Sequence, residues 1–150
     1  MLFPTVKARN LQGLNVELPA GFTSARNVVM VAFQRQHQSL VDSWVPWLEE
    51  AVTRDPGLAF YEVPTIASMW APVRFFIDGG MAAAIRTPKI LQRTLTVYGN
   101  TRSFAEALKI HSRSTITLFV VTRDGVVHWS GTGGFTTESG EALQRALAEA

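Results

Sequence analysis

Along the chain, the spacing of apolar positions switches repeatedly between the period of a strand and that of a helix. Thr5 to Ala8 and Leu14 to Leu18 are short extended pieces separated by Gly13 and followed by Pro19 and Gly21. They predict an N-terminal hairpin or irregular lead-in over 1–26. Asn27 to Phe33, NVVMVAF, is a near-continuous apolar and β-branched run. Such a run suits a central strand covered on both faces. From Ser39 to Arg54 the apolar positions Leu40, Trp44, Trp47, Leu48 and Ala51 recur at helical spacing. Ser39 is the expected N-cap, with Asp42 in the first turn. Pro46 falls inside this pattern and removes a backbone donor, so a local bend is expected. Asp55-Pro56-Gly57 stops the helix, and Leu58 to Ile66, LAFYEVPTI, reads as a second core strand that Pro64 should end.

Met69, Val73, Phe76, Ile77, Met81, Ala84 and Ile85 again follow a helical spacing. They predict a helical insertion over 67–92 that Gly79-Gly80 would split. Arg93 to Tyr98 is a third strand, Ser103 to Ile110 a short helix and Ile116 to Val121 a fourth strand. Arg123-Asp124-Gly125 should turn the chain back through a type I′ turn or a bulged relative into a fifth strand, Val126 to Ser130. Gly131 to Phe135 reads as a glycine-rich loop. Thr136 or Thr137 would cap a last helix with Glu138 and Glu141 near its positive end and Leu143 and Leu147 facing inward. Strands joined through helices should be parallel and the hairpin antiparallel. The expected architecture is α/β: a mixed sheet with helices on both faces, ending in a β-hairpin and a helix.

At 150 residues the chain is expected to be one domain, 1–150. With 47% hydrophobic and 17% charged residues it is globular. It has no cysteine. That excludes disulfides, thiolate metal ligands and thiol redox chemistry carried by this chain. The sequence pI is about 9.4, but its eleven arginines and three lysines are dispersed. Without a basic stripe, nucleic-acid binding is not expected. MLFPTVKARN lacks the apolar core of a signal peptide, and no long uninterrupted apolar window occurs, so no integral membrane segment is expected. The corresponding expectation is a cytoplasmic protein.

Arg35-Gln36-His37-Gln38-Ser39 falls between the carboxyl end of a strand and the amino end of a helix. Ligands favour that crevice, and Gln and His can both donate and accept hydrogen bonds to a bound chain. The plainer role is capping and hydration of the helix start. His37, His111 and His128 lie on separate elements without ligand spacing, so no metal and no cofactor are expected. Ser39, His37 and Asp42 lie too close along one helix start to align as a catalytic triad. Gly131-Thr132-Gly133-Gly134 lacks the Gly-Lys-Ser/Thr ending of a phosphate loop. Trp44 fits the core. Trp47, with Trp70, Phe75, Phe76, Ile77 and Met81 of the insertion, would leave an apolar patch for a homodimer or a partner protein.

The order of elements resembles the thioredoxin-like superfamily in its peroxiredoxin-type elaboration. VVMVAF feeds QRQHQSLV and a helix containing Pro46, and Gln38 and Val41 stand where a thioredoxin has its two cysteines. In His111-Ser112-Arg113-Ser114-Thr115, Arg113 matches the arginine that peroxiredoxins keep near their thiolate, whereas the cis-proline of thioredoxins has no counterpart there. The resemblance therefore adds Arg113 to the binding crevice. AFQRQHQSLVDSW at 32–44, YEVP at 61–64 and GVVHWSGTG at 125–133 are similar to segments of the mitochondrial ATP synthase assembly-factor family, whose members chaperone a membrane subunit. The implied function is a redox-inactive protein-binding or assembly module whose partner is a membrane-complex subunit. The alternative is an enzyme using the same crevice through His37, Gln38 and Arg113.

Overall fold

The computed structural model describes residues 1–66 and 92–150. In chain order these form β1 (Val6–Asn10), β2 (Asn15–Leu18), β3 (Arg26–Ala32), a 3-10 turn (Arg35–His37), α1 (Gln38–Arg54), β4 (Leu58–Ile66) and β5 (Leu95–Tyr98). There follow α2 (Thr101–Ala107), β6 (Thr117–Thr122), β7 (Val127–Thr132) and α3 (Thr137–Glu149). Among the described residues seven strands make one sheet in the order β2-β1-β5-β4-β3-β6-β7. The apolar run of β3 lies inside it, parallel to β4 and antiparallel to β6. β4 and β5 are parallel, and β6 and β7 antiparallel, so the sheet is mixed as expected. The N-terminal pieces form a true hairpin, which extends the sheet by pairing β1 antiparallel to β5.

Alternation along β3 sends its side chains into two cores. Val28 and Met30 pack with Trp44 and Leu48 of α1 and Leu143 and Leu147 of α3. Val29 and Val31 pack with Phe104 of α2, Leu108 and the N-terminal Phe3 and Phe22. Helices therefore cover both faces. Val28, Val29, Met30 and Val31 are all fully buried, which is what a continuous apolar strand requires.

Several expected boundaries shift. Ser39 is not the N-cap: α1 starts at Gln38, directly after the 3-10 turn, and its cap position, His37, already has helical dihedrals (φ −67, ψ −13). The Ser39 hydroxyl instead donates to the Gln36 carbonyl (3.1 Å). The segment 35–39 is thus a helical entry and not a loop. Pro64 does not end β4, which runs on to Ile66 opposite Tyr98. Where Pro64 supplies no N–H, the Thr65 hydroxyl donates to the Ala32 carbonyl (3.1 Å) and ties the strand end to β3. β5 begins at Leu95 and not Arg93, with Thr94 bridged to Glu62.

The Asp-Gly turn is the bulged form. Gly125 has φ +83, and no positive φ occurs at Asp124. The Gly125 N–H donates to Thr122 O (2.8 Å) and the Thr122 N–H to Val126 O (3.0 Å). Gly131 and Thr132 belong to β7 and not to a loop. The Trp129 ring lies over Gly131, where a Cβ would come within 2.5 Å of it. Thr136 caps α3 by accepting from the Ser139 N–H (3.0 Å), and Glu138 sits in the first turn. Apart from Gln92, the expected insertion at 67–92, with Trp70, Phe75, Phe76, Ile77 and Met81, lies outside the described residues. Among the described residues no helix is long and apolar enough to cross a membrane.

Candidate functional site

β3 hands its chain to α1 through Phe33, Gln34 and the 3-10 turn, and His37 holds that corner. The imidazole is buried, and its Nδ1 accepts the backbone N–H groups of Phe33 (3.2 Å) and Gln34 (3.3 Å). Accepting at Nδ1 places a proton on Nε2, which is buried and has no partner among the described residues. The corner is also tied sideways, because the Gln34 amide donates to the Arg113 carbonyl (3.2 Å) in the segment before β6.

Beside this corner, at the carboxyl ends of β3 and β4 and the amino end of α1, lies a cavity of about 370 Å³. Its walls are apolar where Met30, Val41, Val63, Pro64 and Ile66 face it. Gln34, Arg35, Gln38, Thr101 and Arg113 supply polar groups. The Arg113 guanidinium carbon lies 5.8 Å from the centre of the Phe33 ring, another wall of the cavity.

Of the residues expected to form a binding crevice, Arg35, Gln38 and Arg113 line this cavity, whereas Gln36 and Ser39 are exposed and do not. His37 does not line it either. Its ring accepts the two backbone N–H groups of the corner.

The sequence reading missed Glu62. On β4 every second residue from Leu58 faces α1, so Leu58 and Phe60 enter the core, and Glu62 follows them onto the same face and into the cavity wall. It is 8% exposed. Burial pushes its carboxyl up to about 7. The Arg93 charge opposes this, the Asp42 charge adds to it, and the Gln38 amide and Thr94 hydroxyl pull it down more weakly. Among the described residues Glu62 makes no ion pair. Arg93 is committed elsewhere, with Nη1 2.7 Å from Glu49 Oε1 and the guanidinium 4.3 Å over the Phe60 ring. The Gln38 amide also donates to Asp42 Oδ1 (2.9 Å), so one side chain stands between two acids.

Away from the crevice, Trp44 is buried and its Nε1 donates to the Gly133 carbonyl (3.0 Å). Half-buried Trp47 meets Trp44 edge-on at 6.1 Å. Phe135, which sequence reading passed over, does so at 5.2 Å and stays 37% exposed. Among the described residues no group of three His, Cys, Asp or Glu side chains is placed to hold a metal ion.

No protein-family model matches the sequence, and no curated protein matches it. Solved structures do match in shape. The exposed lipoprotein thioredoxin of Streptococcus pneumoniae superposes with a TM-score of 0.64 at 12% identity, over 98% of this chain and 100% of that one. A thiol-disulfide oxidoreductase from Bacteroides fragilis gives 0.62 at 11% identity, over 98% and 99%. The thioredoxin domain of a thiol-disulfide oxidoreductase from Bacteroides vulgatus gives 0.60 at 13% identity, over 97% and 94%. Identities this low speak to architecture alone, and the architecture is thioredoxin-like, built here from a chain without a single cysteine.

Proposed function

We propose that this is a redox-inactive thioredoxin-like module that binds a segment of another protein in the crevice at the start of α1, in an assembly or chaperone role. One observation carries the reading. The corner where β3 enters α1 opens on a cavity of about 370 Å³ with apolar walls and exposed Gln34, Arg35 and Arg113 at its edge, and no thiol stands in it. That volume suits one large side chain with the flanking backbone outside. The exposed amide and guanidinium groups can fix a peptide backbone by donating to its carbonyls, and the amides can also accept from its N–H groups. Likeness of 32–44, 61–64 and 125–133 to the ATP synthase assembly factors supports a membrane-complex subunit as the partner. The rival reading, an enzyme in the same crevice, would employ His37 with Gln38 and Arg113, and of these His37 lies outside the cavity lining.

The test is affinity capture from the native cell with mass spectrometry, comparing the wild type with Gln38→Ala/Arg113→Ala. Peptides from the enriched partner are then followed by NMR. The reading expects a partner lost with the double variant and peptide-induced shifts at 34, 38 and 113. A partner retained equally by both proteins, or shifts confined to another face, would overturn it.

A further inference from the structure

The cavity wall holds a carboxyl that nothing in the described fold neutralises. Glu62 is 8% exposed, makes no ion pair among the described residues, and faces the same space as Met30, Val41 and Pro64. Arg93, whose charge acts on it, is already paired with Glu49. A second acid, Asp42, acts on it from α1 and shares the Gln38 amide. An occupant of this cavity therefore meets apolar walls and a negative charge.

We infer that the cavity takes a lysine or arginine side chain of the partner segment, with the Glu62 carboxylate as its counter-ion. The inference rests on the peptide-binding reading above. The methylene stem of such a side chain matches the Met30, Val41 and Pro64 walls, while its head group supplies the missing charge. A leucine would fill the space but complete the desolvation of a carboxyl left without a counter-ion. An anionic side chain would meet Glu62 and Asp42. Arg113, exposed at the rim, opposes a bare cation and favours one carried beside a carboxylate, so the segment pairs its basic residue with an acidic neighbour.

A pH dependence follows. Among the described residues the groups acting on Glu62 are Asp42 and Gln38 of α1 and Arg93 and Thr94 ahead of β5, and the rim arginines Arg35 and Arg113 line the same cavity. In the free protein the Glu62 carboxyl titrates at about 7. A bound cation holds it ionised, so binding expels a proton and affinity rises with pH, roughly tenfold between pH 6 and pH 8.

The experiment titrates the whole chain with acetylated, amidated peptides of sequence Ala-Asp-X-Ala-Ala, where X is Lys, Arg, Gln or Leu. Affinities come from NMR shifts at 34, 38 and 113 at pH 6 and pH 8. The Lys or Arg peptide should bind at least tenfold more tightly than the Gln and Leu peptides at pH 8. It should weaken roughly tenfold at pH 6 and lose its advantage in Glu62→Gln. Leu or Gln peptides binding as tightly as Lys overturn this inference and leave the peptide-binding reading standing. No binding by any peptide overturns both. A Lys preference that persists in Glu62→Gln overturns the assignment of the counter-ion. The wild-type pH profile reads the same proton without any variant, and a flat profile also overturns it.

Discussion

Glu62 carries a cost that the fold bears at neutral pH and not in acid. In the unfolded chain its proton leaves near the ordinary value of 4.5, whereas the folded protein keeps it to about 7. Between those limits the folded state binds more protons than the unfolded one, so this residue's contribution to stability falls as pH rises and levels off above about 7. The whole loss is at most about 3 kcal/mol. Glu62→Gln keeps the shape and removes the titration. The difference in unfolding free energy between variant and wild type, by urea titration, should be small at pH 4 and grow in favour of the variant up to pH 8. A difference that stays flat across that range would show that burial does not hold the proton on. The residue was within reach of sequence reading, since it lies two and four positions after Phe60 and Leu58 in a strand read as core. It was passed over because a lone acid in an apolar strand is ordinarily placed on a solvent face. The burial of His37 is not legible in the sequence, because a polar residue near a helix start looks exposed and only the fold brings two backbone N–H groups onto its ring.

At the scale of elements, the two ends of the chain are locked together by a turn. Gly125 closes the β6–β7 hairpin at φ +83, and a Cβ there would stand 2.9 Å from Pro19 Cγ, just after β2. Phe3 N–H also donates to Gly125 O (2.9 Å). Gly125→Ala therefore incurs both a left-handed backbone and a contact with the N-terminal hairpin, together about 1–3 kcal/mol. Gly133 has a similar φ of +90, but a methyl added there would meet nothing within 4 Å, so Gly133→Ala incurs only the backbone term, of about 1 kcal/mol. Thermal unfolding of the two variants side by side separates the terms; equal losses would mean that the Pro19 contact carries no weight. Elements with strong periodicity were legible in the sequence. β4 starts at Leu58 as expected and runs past the Pro64 stop to Ile66, and α1 ends at Arg54 as Asp55-Pro56-Gly57 implies. What was not legible depends on contacts across the fold: the helix start moved ahead of Ser39 because the 35–37 turn is pinned by His37, and Gly131 joined β7 because Trp129 needs the room above it.

At the scale of the molecule, the neighbours in shape are thiol-disulfide oxidoreductases, and this chain has no thiol. Disulfide exchange and peroxide reduction both begin with a thiolate attacking sulfur or oxygen. No other side chain in the crevice, Gln38, Glu62, Thr101 or Arg113 included, can replace it in either step. The wild-type protein with dithiothreitol should therefore reduce insulin and consume hydrogen peroxide no faster than dithiothreitol alone; robust turnover would mean that chemistry outside thiols is at work. The stronger test restores the nucleophile. Gln38 and Val41 have the spacing of a Cys-x-x-Cys pair at the start of α1, the first half-buried at the cavity and the second buried. A thiol at position 38 would sit at the positive end of the α1 dipole, which favours its thiolate, while Glu62 and Asp42 oppose it. Gln38→Cys/Val41→Cys should form an intramolecular disulfide, seen by mass as the loss of two hydrogens, and should reduce insulin faster than the wild type. Disulfide formation with turnover would show that the crevice retains the geometry of its neighbours and lacks only the sulfur. Two thiols that never pair would show instead that the 3-10 turn and His37 have set the start of α1 differently from a thioredoxin's.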